Sequence, residues 1–284
     1  MKLAVVAVDT GSRGHWGRDW VRLLCGSLTR AGHDCIITRN QPEPDRLNVV
    51  VGGHLIGNDD HLRVFSDLRY VVVQTAHLLS PTMQEPAAAG AFQRWYLPLL
   101  RGASAVWEPE PVRLPVLEAV GAAGLRLGVG YDPGMRFLPP KLEQDIDFAF
   151  YGTITKHRQA QLLPLLQRGH RLVVVGDEDP FFRNDILARA KVHLAPRPGD
   201  GTGRVPAIRI ATVLANRGLV VVETGLDHHG LDECVVLAGS AEWVATCEHT
   251  LARSDRRELA DNAARRFEAR PMAPMLQPLL EAVA

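Results

Sequence analysis

The chain has 284 residues, 46% hydrophobic and 23% charged, which is ample material for two globular domains. Its 32 basic and 32 acidic residues cancel to a formal net charge of zero. That balance argues against nucleic acid or an anionic membrane as the main partner.

The opening MKLAVVAVDTGSRG is too short for a signal peptide and lacks a small-residue cleavage site, so Leu3–Val8 reads as a buried first strand. GRDWVRLLCGSLTRAG repeats apolar residues at helical spacing and is closed by Gly32. HDCIITR, LNVVVGGHLI and RYVVVQTA supply three further strands. Their β-branched runs without alternation predict a parallel sheet buried on both faces. Pro86–Leu100 reads as helix, ASAVWEP as a short strand, PVLEAVGAAG as helix, and LRLGVGYDP ends this half. DPGMRFLPPKLEQD then loses all periodicity and reads as a connector. DFAFYG, LVVVG, KVHLA and GLVVVE are the strands of the second half. Helices are expected between them at 157–167, 184–190 and 206–216, and beyond them at 241–253, 256–268 and from Met275. No apolar run approaches the roughly 20 residues that span a bilayer. Cys25, Cys35, Cys234 and Cys247 show no CxxC or metal-ligand spacing and read as core thiols, so a cytoplasmic protein is expected.

The strand, glycine turn and helix of DFAFYGTITKHRQAQLLPLLQ form one half of a doubly wound nucleotide-binding unit. Such a turn aims backbone amides and a helix N-terminus at a bound phosphate. Gly152 and Thr153 form the turn, Thr155 is the expected helix cap, and Lys156 and Arg158 stand where a diphosphate needs cations. Lysine occurs at only four positions in the chain, which adds weight to Lys156. A second cluster runs from Ala195 to Gly225. There Arg197 and Arg204 bracket a glycine- and proline-rich loop, Arg209 lies one turn into the next helix, and Glu223 ends a strand. Glu223 is read as a ribose acceptor or as the partner of Arg209 in a buried ion pair. In DTGSRGHWGRD the glycines recur every third residue, unlike the dinucleotide fingerprint, which argues against a nicotinamide-dependent oxidoreductase. His15 with Asp19 is the first candidate base with its orienting carboxylate, and His77 the second. Asp227, His228, His229 and Asp232 resemble a metal-ligand run, but adjacent histidines in a loop point apart, and no metal site is expected.

The second half, from about 125 to 270, resembles the C-terminal domain of GT-B glycosyltransferases, closest to their spore-maturation-protein-like branch. The matching elements are DFAFYGTITKHR, LVVVG, KVHLA, RIATVLANRGLVVVE and the arginine-rich LADNAARRFEAR. The resemblance implies an α/β fold of two Rossmann-like domains whose mostly parallel sheets face a cleft. It divides the chain into an acceptor-side domain (1–133), a linker (134–145), a donor domain (146–270) and a helix (271–284) returning to the first domain. It also implies that Gly152, Lys156, Arg158 and Arg209 meet the diphosphate and that Glu223 lies near the nucleoside. The chain departs from the pattern at Pro206, Arg204 and Thr212, where relatives carry glutamates, and at Ala195 and Arg197.

The expected function is transfer of a hexosyl-type sugar from a nucleoside diphosphate sugar, a substrate rather than a cofactor, to a small-molecule or glycan acceptor. It would need no metal, because lysine and arginine neutralise the leaving group. The alternatives are a catalytically degenerate nucleotide-sugar-binding module and a nucleotide-sugar epimerase on the same fold. The identity of donor and acceptor, the stereochemistry and the oligomeric state are not written in the residues.

Overall fold

A computed structural model describes residues 1–9, 17–75, 90–139, 143–176, 180–199, 205–225 and 227–284. The chain divides into two compact units, residues 1–128 with 272–284, and residues 129–271.

The first unit holds a six-stranded parallel sheet. Its strands are β1 (Lys2–Ala7), β2 (Asp34–Arg39), β3 (Leu47–Val51), β4 (Tyr70–Val73), β5 (Ala105–Glu108) and β6 (Gly124–Arg126), in the order β2-β1-β3-β4-β5-β6. β3, β4 and β5 are buried at every position, as their unalternating apolar runs require. The helices are α1 (Arg18–Arg30), α2 (Asp59–Arg63), α3 (Leu97–Gly102) and α4 (Leu114–Ala119); a π-turn at Phe92–Tyr96 leads into α3. Val50, Val72, Leu99, Leu100, Val106 and Leu117 form a core on one face of the sheet. Gly52, at φ 86°, turns the chain out of β3 where a Cβ would lie 2.9 Å from the carbonyl oxygen of Val8.

The second unit holds a five-stranded parallel sheet. Its strands are β7 (Ile146–Tyr151), β8 (Leu172–Val175), β9 (Ala190–Ala195), β10 (Val220–Glu223) and β11 (Val236–Ala238), in the order β11-β10-β9-β7-β8. Around it lie α5 (Lys156–Gln167), α6 (Pro180–Arg189), α7 (Ala207–Ala215), α8 (Trp243–Ala252) and α9 (Arg256–Glu268). Phe148, Phe150, Leu162, Leu194 and Trp243 fill one face, while Ile146, Leu187 and Ala190 pack on another. The proline-rich stretch before β7 is docked on this unit. Asn216 accepts from the amides of Phe137 and Leu138 at 2.8 Å each, donates to the carbonyl of Met135 at 2.6 Å, and Met135 is buried. α10 (Met272–Glu281) belongs to the first unit: it packs against α1, and Arg69 donates to the carbonyl of Val283 at 2.7 Å.

Candidate functional site

In the second unit β7 is flanked by β8 on one side and by β9, β10 and β11 on the other. The winding therefore reverses between β7 and β9, and the carboxyl ends of these two strands are where a doubly wound sheet offers its ligand crevice. The turn after β7 and the loop after β9 are the two glycine-bearing segments singled out in the sequence, Gly152–Thr155 and Pro196–Gly199. Topology alone brings them together.

Thr155 caps α5, accepting the amide of Arg158 at 3.2 Å and donating its hydroxyl to the carbonyl of Pro198 at 2.6 Å. One side chain thus starts the helix and fixes the neighbouring loop. The first-turn amides of Lys156 and His157 have no intrahelical partner, and Lys156 is exposed with no ion pair among the described residues. Gly152 adopts φ 132°, and its α-carbon lies under the guanidinium of Arg209; a Cβ there would stand 2.7 Å from Arg209 Cζ and closer still to Nη1. Arg209 donates to the carbonyl of Tyr151 at 2.8 Å and lies 5.9 Å from the ring centroids of both Phe150 and Tyr151. Burial pushes this guanidinium below the usual arginine range. A bound anion would reverse that push.

Arg158 takes a different course. It is 2% exposed, donates to the carbonyls of Pro196 (3.1 Å) and Thr153 (2.9 Å), and its Cζ lies 5.4 Å from the Phe150 ring centroid. Its side chain is a bolt between the turn and the loop, pointing into the protein rather than into the crevice.

Glu223 ends β10 with 0% exposure. It does not pair with Arg209. Its carboxylate accepts from His157 Nε2 (2.8 and 2.9 Å), the Arg197 amide (2.8 Å), the Arg197 guanidinium (3.3 Å) and the Ser240 hydroxyl. Burial pushes its pKa up, but the bonds from Ser240, His157 and the Arg197 amide outweigh burial and hold it below the usual carboxylate range. Sequence reasoning missed His157 and Ser240. His157 carried a signal, standing between the two cations in the first turn of α5. Ser240 carried none, because it follows β11, a three-residue strand too short to read.

Asp19 is 3% exposed in the first turn of α1. His15, His77 and Arg204 lie outside the described residues, and Thr153 is exposed in the turn. In the histidine run, His228 Nε2 accepts the Gly225 amide at 3.0 Å, which leaves the proton on Nδ1 to be donated to Asp232 at 2.7 Å. Asp227 accepts the amide of His229 at 2.7 Å. These side chains shape a turn. Among the described residues no group of three or more His, Cys, Asp or Glu side chains could hold a metal ion. None of the described helices is long and apolar enough to cross a membrane, and all four cysteines are free thiols.

In the first unit the carboxyl ends of β4 and β5 carry a buried polar cluster that sequence reasoning did not single out. Tyr96 donates to Gln74 at 2.5 Å, Arg113 lies 3.6 Å from Glu108, and Glu108 accepts the amide of Glu110 at 2.8 Å.

No protein-family model matches the chain, and no curated protein matches it in sequence. Solved structures do match. The chain is similar to AviGT4, a glycosyltransferase involved in avilamycin A biosynthesis, at 14% identity over 100% of this chain and 97% of that one, with a TM-score of 0.58. It is similar to T4 phage BGT, solved with its UDP-glucose substrate, at 13% identity over 100% and 99% of the two chains, with a TM-score of 0.60. OtsA matches at 10% identity over 99% and 98%, with a TM-score of 0.53. At these identities the likeness establishes the fold: two parallel-strand sheets with flanking helices, the α/β fold of GT-B glycosyltransferases.

Proposed function

We propose that the chain is a glycosyltransferase that draws its sugar from a nucleoside diphosphate donor held by the second unit. One observation carries this reading. The guanidinium of Arg209, with no carboxylate partner among the described residues, lies over the glycine turn that opens α5. A diphosphate seated there would receive Arg209, the Lys156 ammonium and the first amides of α5 together. The same two cations would neutralise the departing diphosphate, so transfer would proceed without metal. The nucleoside would lie toward Glu223 and His157, where a ribose hydroxyl reaching Glu223 must replace the Arg197 or Ser240 donor. The order of motifs from DFAFYGTITKHR to LADNAARRFEAR supports placing the chain in the spore-maturation-protein-like branch. His15 remains the proposed base for an inverting transfer, with His77 the second choice. The test is thermal shift and calorimetry of the full chain with uridine, guanosine and thymidine diphosphates. Saturable binding of at least one, weakened about tenfold or more in Arg209→Ala and Lys156→Ala, is expected; the same affinity in both variants would refute the site.

A second reading is a module that binds a nucleotide sugar without transferring it. The hydrogen bonds that already satisfy Glu223 favour it, as does Thr212, which is buried and donates to the carbonyl of Ile208 at 2.9 Å where relatives carry a glutamate. Slow hydrolysis of the donor without acceptor distinguishes the two, since only the transferase shows it.

A further inference from the structure

The free thiols divide between the two units, and the pairs differ. Cys234 and Cys247 are buried in the second unit, Cys234 in the turn before β11 and Cys247 in α8. Cys25 and Cys35 are half-buried in the first unit, one in α1 and the other in β2. Residues 26–34 separate them, a stretch that includes the Gly32 turn from helix to strand.

The fold brings these two side chains together. β2 is the edge strand of the six-stranded sheet, and α1 packs against it. Cys25 stands at the rim of the buried stripe of α1. Val21 and Leu28, a turn to either side, are buried, while Arg22 and Thr29 on the adjoining face are exposed. The rim of that stripe meets the edge of the sheet, and there the Cys25 and Cys35 side chains are hydrogen-bonded to each other. Cys35 Sγ also lies 3.9 Å from the carbonyl oxygen of Ile36. Sulfurs in such contact are close enough for side-chain rotation to join them, whereas thiols on separate faces would need the backbone to move.

The two thiols are not equivalent. Burial, and then the Cys25 sulfur, push the Cys35 thiol up to about 12; Arg46 pulls it the other way and Asp34 adds a smaller push. Cys35 therefore keeps its proton, and Cys25 is the sulfur that meets an oxidant first.

We propose that Cys25 and Cys35 are a modification site, a thiol pair that low-molecular-weight disulfides convert reversibly into an intrachain disulfide tying α1 to the edge of the sheet. The Cys25 thiolate attacks one sulfur of the small disulfide, whose S–S bond breaks, and one small thiol leaves. Cys35 then releases its proton to solvent, and its sulfur attacks Cys25 Sγ in the mixed disulfide, expelling the second small thiol. Two protein thiols are oxidised and one small disulfide is reduced to two thiols, so no other reactant is needed. The site uses no residue of the second unit and stands apart from the glycosyltransferase reading.

The test is incubation of the full chain with glutathione disulfide and glutathione at stepped ratios and mildly alkaline pH. Acid quenching, alkylation in denaturant and tryptic mapping follow. The expected product is peptide 23–30 linked to peptide 31–39, reversed by excess dithiothreitol, with Cys234 and Cys247 alkylated throughout. In Cys35→Ser the exchange should stop at glutathione bound to Cys25. In Cys25→Ser the adduct on Cys35 should form about tenfold more slowly or less. The effective concentration of the two thiols should be about tenfold higher in the folded chain than in the same chain unfolded in urea. A lasting glutathione adduct on Cys25 of the wild type, no linked peptide at any ratio, or links between chains in its place would overturn the site. Equal effective concentrations in the folded and unfolded chains would overturn it as well, and equal adduct rates in the two variants would overturn the order of attack.

Discussion

Arg158→Ala would leave the carbonyl of Pro196 without its donor in a buried place and that of Thr153 without its donor in a half-buried one. It should cost about 2–4 kcal/mol of stability, measured by urea unfolding. Arg209→Ala should instead remove on the order of 1.5–3 kcal/mol of diphosphate affinity, the worth of a charge-assisted bond, read by calorimetry. Lys156 and Arg209 were legible as cations beside a glycine turn. The inward course of Arg158 was not, because it depends on the carbonyl of Pro196, a contact 38 residues away. Glu223 adds a pH dependence. Its folded pKa lies below its ordinary value of about 4.5, so its stabilisation is present above that value and lost as pH falls through the folded one. The stability gap between wild type and Glu223→Gln should accordingly be largest near neutrality and shrink with acidification below pH 4.5, followed by denaturation at stepped pH.

At the scale of elements, the crevice depends on one backbone conformation and one cap. Gly152→Ala would place a methyl group at φ 132° against the Arg209 guanidinium. A cost of about 1–3 kcal/mol is expected from the strain, with diphosphate binding lost as Arg209 is displaced. Thr155→Ala should cost about 1 kcal/mol as a lost cap and should also release the loop at Pro198, seen as faster amide exchange at Arg197 and Gly199. Strands rich in valine and isoleucine were readable because a fully buried parallel strand needs no alternation. β11 was not, since three residues carry no period. The reversal of winding at β7 was also unreadable, because strand order is set by which helices cover which face.

For the whole molecule, the composition of the halves foretold two α/β bodies, and residues that form hydrogen bonds across the chain had to be seen in place. α10 buries Met272, Leu276, Leu279 and Leu280 in the first unit. A chain stopped after Pro271 should therefore lose exchange protection in β1, β2 and α1 while the second unit keeps its own. The same division sets an order of events on the ribosome. Residues 129–271 form an uninterrupted stretch that can close its core as soon as it clears the exit tunnel. The earlier-made body must wait, its α1 face bare, until residues 272–284 have been synthesised. During that interval a nascent-chain chaperone would find its exposed apolar surface within residues 1–128 rather than in the stretch most recently made.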